Sequence, residues 1–185
     1  MKLQLTNQEI SELLSNPETA RKTFSDLMKA YQQQIYWHIR RMVTNHDDAD
    51  DILQNTFIKA WQNSQAYRGD AAFTTWLYRI ATNECIDFLN SAHQRYSNSL
   101  SEYEDDSLVN NYAEDPWFDG DAAEEKLQKA IQTLPAKQRT VFNLRYYDEM
   151  PYSEMSQVLD TSEGALKASY HHAVKKIEEF LKEVH

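Results

Sequence analysis

Apolar residues recur at helical spacing along most of the chain. Phe24, Leu27, Met28, Tyr31, Ile35, Ile39 and Met42 recur three or four residues apart, with Leu27 and Met28 adjacent, which predicts a long amphipathic helix. Asn16 before Pro17 supplies its cap and first-turn proline. His46-Asp47-Asp48 marks a break and a restart, with acids suited to the next helix N-terminus. Ala49, Ile52, Leu53, Phe57, Ala60 and Trp61 then line one face of a second helix. Residues 64–72 read as a loop around Gly69. Phe73, Trp76, Leu77, Ile80, Ala81, Cys85, Phe88 and Leu89 line a third. With a short helix near the N-terminus, this block is a three- to four-helix bundle.

The pattern resumes after residue 124. Leu127, Ala130, Ile131 and Leu134 define one helix, and Pro135 opens the next, through Val141, Phe142 and Leu144. Tyr147-Asp148-Glu149-Met150 is a connector, and Pro151 opens a short helix with Met155, Val158 and Leu159 inward. Asp160-Thr161 turns the chain, and Ser162 caps a final helix carrying Ala165, Leu166, Ser169, Ala173, Val174, Ile177 and Leu181. Short helix, tight turn and longer helix make a helix-turn-helix. Asp160 stands where glycine is usual; aspartate tolerates the left-handed conformation better than most residues. Many helical hairpins share this pattern, so it does not by itself assign DNA binding.

Composition supports an all-α fold. The 185 residues hold 3 Gly and 4 Pro, few for the turns of an all-β protein. The net charge of −10 is unevenly placed. Residues 1–95 and 126–185 are close to neutral, and the whole excess lies in 96–125, which has no Lys or Arg. The expected organisation is therefore an N-terminal domain over 1–95, an acidic flexible linker over 96–124 and a C-terminal domain over 125–185. The Trp117-Phe118 pair within the linker is either incidental packing or an anchor for a partner. An acidic whole with two neutral blocks does not argue against nucleic acid. One cysteine, Cys85, excludes an internal disulfide framework. No apolar run reaches the ~18 residues of a membrane span, so no membrane insertion and a cytoplasmic location are expected.

Catalytic constellations are missing from the sequence. No His has an acid three residues before it, as a carboxylate-bridged metal bundle needs. There is no H-x-x-x-H, P-loop or G-x-S-x-G. His46 with Asp47 and Asp48, and the His171-His172 pair, are read as surface rather than as metal ligands. No enzymatic activity, cofactor or metal is expected.

Three segments carry a resemblance: DADDILQNTFIKAW, YRGDAAFTTWLYRIATNECIDFL and LPAKQRTVFNLRYYDEMPYSEMSQVLDTSEGALKASYHHAVKKI. They resemble bacterial sigma factors, and the short two-domain layout is similar to the extracytoplasmic-function (ECF) group. The resemblance covers roughly residues 20–95 and 122–182. It implies a subunit that binds core RNA polymerase, recognises the −10 and −35 elements of promoter DNA, helps melt the duplex, and is often held by an anti-sigma factor.

Specific residues inherit expected roles from that resemblance. Asp50, Asp51, Gln54 and Phe57 match the polymerase-docking helix, with Asp50, Gln54 and Phe57 near one stripe. Asn55 replaces a usual acid. The segment from Tyr67 to Ala72 matches the family's pocket for a flipped −10 base. There Tyr67 and Arg68 offer faces for stacking, and Asp70 and Thr74 offer polar edges. Tyr78, Arg79, Asn83 and Asp87 are expected on the polar, DNA-facing side of their helix, while Trp76 fits core packing better than a melting wedge. For the −35 element the candidates are Arg139, Ser162, Glu163, Lys167, Tyr170, His171 and Lys175. Arginines usual in the final helix are replaced by Ser169, His172 and Val174, which predicts weak DNA binding by the isolated domain.

Each stretch also has a plainer reading. The acidic helix start can be solvated, with Phe57 in the core; the loop can be an ordinary glycine turn; Arg139 can be a surface residue. Two other functions stay open: a dimeric helix-turn-helix regulator that works without polymerase docking, and an interaction protein whose bundle sequesters a partner.

Overall fold

The computed structural model describes residues 5–43, 45–98 and 122–183. The chain forms α1 (Asn7–Ser15), α2 (Pro17–Met42), α3 (His46–Gln62), α4 (Phe73–Asn98), α5 (Ala122–Gln132), α6 (Ala136–Tyr146), α7 (Tyr152–Leu159), α8 (Glu163–Glu183) and a 3-10 turn (Ser64–Ala66). No strand occurs among the described residues, and the fold is all-α. Most of the expected linker, with Trp117 and Phe118, lies outside the described residues.

Local chemistry explains where the helices start. Thr6 and Glu9 form a capping box on α1 in which each satisfies a backbone N–H of the other. These bonds hold the Glu9 carboxyl below its usual range. Asn16 accepts from the Glu18 N–H at 3.0 Å, with Pro17 as first helical residue of α2. The α3 cap is Asn45, which accepts from the Asp48 N–H at 2.7 Å, so Asp47 and Asp48 lie in the first turn. Asp160 adopts φ 48° and ψ 48° between α7 and α8, in the left-handed region the sequence predicted.

Helix α2 is the spine of the molecule, packing against α1, α3, α4 and α6. Leu14, Leu27, Ile35, Ile39, Leu77, Ala81 and Cys85 are fully buried around it. Truncating such a leucine to alanine costs roughly 2–5 kcal/mol. Burial also pushes the Cys85 thiol well above its usual range, so it behaves as a small apolar residue. Trp61 departs from expectation: it is 43% exposed rather than turned inward. Ala165 is likewise exposed, and Leu166, Ala173 and Ile177 form the buried side of α8.

The two helical blocks touch. The core around α2 continues without a break into Val141, Leu144, Met155 and Leu166. A smaller core joins Ala130, Ile131, Leu134, Phe142, Ala173 and Ile177. The carbonyls ending a helix lack intrahelical partners. At the end of α2 the second block supplies donors: Asn143 Nδ2 to the Arg41 oxygen at 3.2 Å, and the Arg139 guanidinium to the Met42 oxygen at 3.0 Å. The Arg41 guanidinium lies 4.1 Å from the centre of the Tyr147 ring. No described helix is long and apolar enough to cross a membrane.

Candidate docking groove and nucleic-acid interfaces

The first candidate surface is a groove of about 470 Å³ between α2 and α3. Asp50 and Gln54 line its rim, and Phe57, which is 9% exposed, lies in its wall beside Phe24. The structure thus brings Asp50, Gln54 and Phe57 together. Asp51 is exposed but does not line the groove. Two residues missed as surface groups complete it: Ile58, 48% exposed, and Trp61, whose ring lies 5.2 Å from that of Phe24. Positions 54, 57, 58 and 61 continue one helical stripe, a signal that Trp61 had obscured by fitting the inward pattern as well. Large exposed apolar groups beside acidic ones have the composition of a protein-docking site.

A neighbouring hollow of about 490 Å³ holds Tyr36, Trp37, His46, Asp50 and Leu53. His46 Nε2 lies 3.3 Å from the Asp50 carboxylate and its Nδ1 lies 2.7 Å from the Tyr36 hydroxyl. A proton on Nε2 satisfies both contacts. Asp50 is therefore positioned from α2 as well as from its own helix. No group of His, Cys, Asp and Glu among the described residues could hold a metal ion.

The loop between α3 and α4 differs from expectation in one respect. Tyr67 is 3% exposed, its hydroxyl donates to the Ala71 carbonyl at 2.7 Å, and its ring meets Phe73 edge-on at 5.4 Å. The ring face predicted for a base is occupied by Phe73 and Trp76. Burial and the negative fields of Tyr31 and Asp70 push its phenol up to about 12. Tyr67 instead holds up a tip at which Arg68 and Asp70 are exposed. Gly69 at that tip has φ +77°, the left-handed region that favours glycine. Thr74 is half-buried at the start of α4, and Trp76 packs within the aromatic cluster as expected.

Helix α4 carries two polar stripes. Arg79, Asn83 and Asp87, four residues apart, are all exposed. Tyr78 is not among them: it is 2% exposed, and its hydroxyl donates to Asp148 at 2.9 Å. It belongs to a second stripe in which Thr75 and Tyr78 bond the second block and Thr82 meets His38 of α2. Periodicity alone placed Tyr78 near the polar side, and packing of α6 and α7 covers it. The Lys59–Glu84 ion pair ties α3 to α4 below the exposed stripe.

In the helix-turn-helix, Ser162 Oγ accepts from the Ala165 N–H at 3.3 Å and caps α8. Glu163, Lys167, His171 and Lys175 then recur every four residues, all exposed. Lys167 lies 3.8 Å from Glu163 and 5.5 Å from the Tyr152 ring centre, held near the start of α8. Two of the expected contact residues are engaged within the protein. Tyr170 is half-buried and stacks on Phe142 with ring centres 5.7 Å apart and planes at 14°. Arg139 spends its guanidinium on the carbonyls of Gln132, Leu134 and Met42.

These surfaces can be set beside known proteins. Residues 27–105 match Sigma-70 region 2, and residues 124–177 match Sigma-70, region 4. The ECF RNA polymerase sigma factor SigW of Bacillus subtilis (strain 168) is 30% identical over 168 residues, 87% of this chain and 90% of that protein. The chain belongs to the ECF RNA polymerase sigma factors. The ECF RNA polymerase sigma-E factor of Haemophilus influenzae is 28% identical to this sigma factor over 182 residues, 95% of each chain. The fold recurs in the sigma factor RpoE bound to the anti-sigma factor NepR from Bartonella quintana. That match has a TM-score of 0.70 and 20% identity, and covers 87% of this chain and 98% of that one. It recurs again in CnrH bound to the cytosolic domain of CnrY, at a TM-score of 0.69 and 19% identity over 96% and 97% of the two chains. The docking groove and the exposed α4 stripe fall in the region 2 match of this sigma factor, and the exposed α8 stripe falls in the region 4 match.

Proposed function

We propose that this sigma factor docks core RNA polymerase through the α2–α3 groove, with Asp50, Gln54, Phe57, Ile58 and Trp61 as the contact and Asp51 beside it. In this reading Arg68, Asp70, Thr74, Arg79, Asn83 and Asp87 meet the −10 element. Ser162, Glu163, Lys167, His171 and Lys175 meet the −35 element from the major groove. The protein acts in the cytoplasm as a specificity subunit without chemistry of its own. One observation carries the reading: a groove and two exposed polar helix stripes, at 79/83/87 and 163/167/171/175, coincide with the two matched sigma regions. One solved structure of the same fold is a sigma factor in complex with an anti-sigma factor. By analogy an anti-sigma factor holds this chain before induction.

Run-off transcription with core polymerase on a promoter library tests the proposal. Promoter-specific transcripts that vanish with Asp51→Arg plus Gln54→Ala support docking through α3. Polymerase-independent binding to a palindromic site, without transcripts, would refute it and favour a dimeric regulator.

A further inference from the structure

We propose that Asp148 is the latch of a closed state in which this sigma factor cannot engage its promoter. The inference rests on the proposed −10 and −35 roles of the two blocks. Asp148 lies in the connector between α6 and α7, yet its partners belong to the first block. Its Oδ2 lies 3.0 Å from His38 Nδ1, and its Oδ1 accepts from the Tyr78 hydroxyl at 2.9 Å. The Arg41 guanidinium stands 3.9 Å away, and His38 Nε2 meets Thr82 Oγ1 at 3.0 Å. The Asp148 side chain is 5% exposed and that of His38 is 0%. A carboxylate this dry requires partners, and α2 and α4 supply them. A second bond joins the same surfaces, from Thr75 Oγ1 to the Glu154 carboxylate at 3.2 Å.

Geometry makes this arrangement incompatible with promoter binding. Glu154 belongs to α7, the first helix of the helix-turn-helix, and Thr75 belongs to α4, the proposed −10 helix. The two elements are ~25 base pairs apart by their positions, or ~85 Å at ~3.4 Å per pair. Helices joined by a side-chain hydrogen bond cannot reach both. The blocks must part, which uncovers Thr75 and Tyr78 beside Arg79, Asn83 and Asp87. Tyr78 thereby faces DNA only after release.

The contact is polar where it is specific. Water can replace the bonds to Asp148 once the blocks separate, whereas Val141, Leu144 and Met155 of the same seam lose their apolar cover, so the closed state is held by both. Docking on polymerase or DNA then selects the open state, and the closed fraction lowers apparent affinity in proportion.

The test uses the full chain with spin labels at Lys29→Cys and Glu179→Cys, both exposed, while Cys85 is buried and unreactive. The free wild type gives a dominant short distance and a minor long one. Asp148→Ala enlarges the long-distance population and raises the open-to-closed ratio about tenfold, the factor that corresponds to ~1.4 kcal/mol. It also increases run-off at subsaturating sigma. Tyr78→Phe, which removes one donor and keeps the ring, shifts the ratio the same way by less, and it serves if Asp148→Ala loses its helical circular dichroism. An unchanged distance in folded variants overturns the latch. A longer distance without increased run-off overturns its inhibitory role. Absence of transcripts from wild type at saturation instead strikes the sigma reading, whatever the distances show.

Discussion

The Ser11 hydroxyl donates to the Tyr67 carbonyl at 2.9 Å, a buried bond between residues 56 positions apart. It fastens the base of the Arg68–Asp70 tip to α1, outside the matched sigma regions. Ser11→Ala leaves that carbonyl unsatisfied and costs about 1–3 kcal/mol. The change appears as a lower urea midpoint and as faster amide exchange through residues 64–72. Unchanged exchange in the loop would show that the bond does not hold it.

Gly69 and Gly164 should respond oppositely to alanine. A Cβ on Gly69 would lie 2.9 Å from the Asn7 carbonyl oxygen, which is backbone, and φ there is +77°. Gly69→Ala loses about 2 kcal/mol from the left-handed conformation and the clash. Gly164, in the first turn of α8, meets nothing within 4 Å, so Gly164→Ala gains about 0.5–1 kcal/mol from helix propensity. Chemical denaturation of both variants gives the two signs.

Trp61 and Phe57 separate binding from folding. Phe57 is 9% exposed and stands edge-on to Phe24 at 6.5 Å, so Phe57→Ala lowers stability by about 3–5 kcal/mol. Trp61 is 43% exposed, and Trp61→Ala lowers stability by less than ~1 kcal/mol. Its loss from an apolar docking groove weakens core polymerase binding about tenfold or more. Fluorescence anisotropy with labelled core, beside thermal melts, resolves the two. Undiminished affinity of Trp61→Ala would remove the groove from the interface.

The Tyr67 phenol gives a pH signature. Burial raises it to about 12, above the ~10 of an unfolded chain. Between those values the unfolded chain has released a proton that the folded chain keeps. Stability therefore falls as pH rises from about 10 to 12, and this contribution is intact below 10. Tyr67→Phe should flatten that part of the profile in urea titrations at alkaline pH. Superimposable profiles would mean that the ring is hydrated.

Much of the molecule was legible from residue spacing. The helices, the Asn16-Pro17 start, the Asp160 turn, the Ser162 cap and the 79/83/87 and 163/167/171/175 stripes are local properties. A period of 3.6 residues and a few capping bonds determine them within one helix. The helix-turn-helix and the resemblance to sigma factors were readable for the same reason, because their motifs are short and contiguous.

What the sequence could not decide was which face met which neighbour. Tyr67, Tyr78, Tyr170 and Arg139 are polar residues at plausible DNA-facing positions, and all four are consumed by contacts with other parts of the chain. Trp61 has the spacing of a core residue and lies in an open groove. Asp148 reads only as part of a connector, and packing places it among His38, Tyr78 and Arg41. Spacing orients a side chain about its own helix axis. Whether water, a second helix or a buried carboxylate lies on that side is decided only when segments far apart in sequence pack.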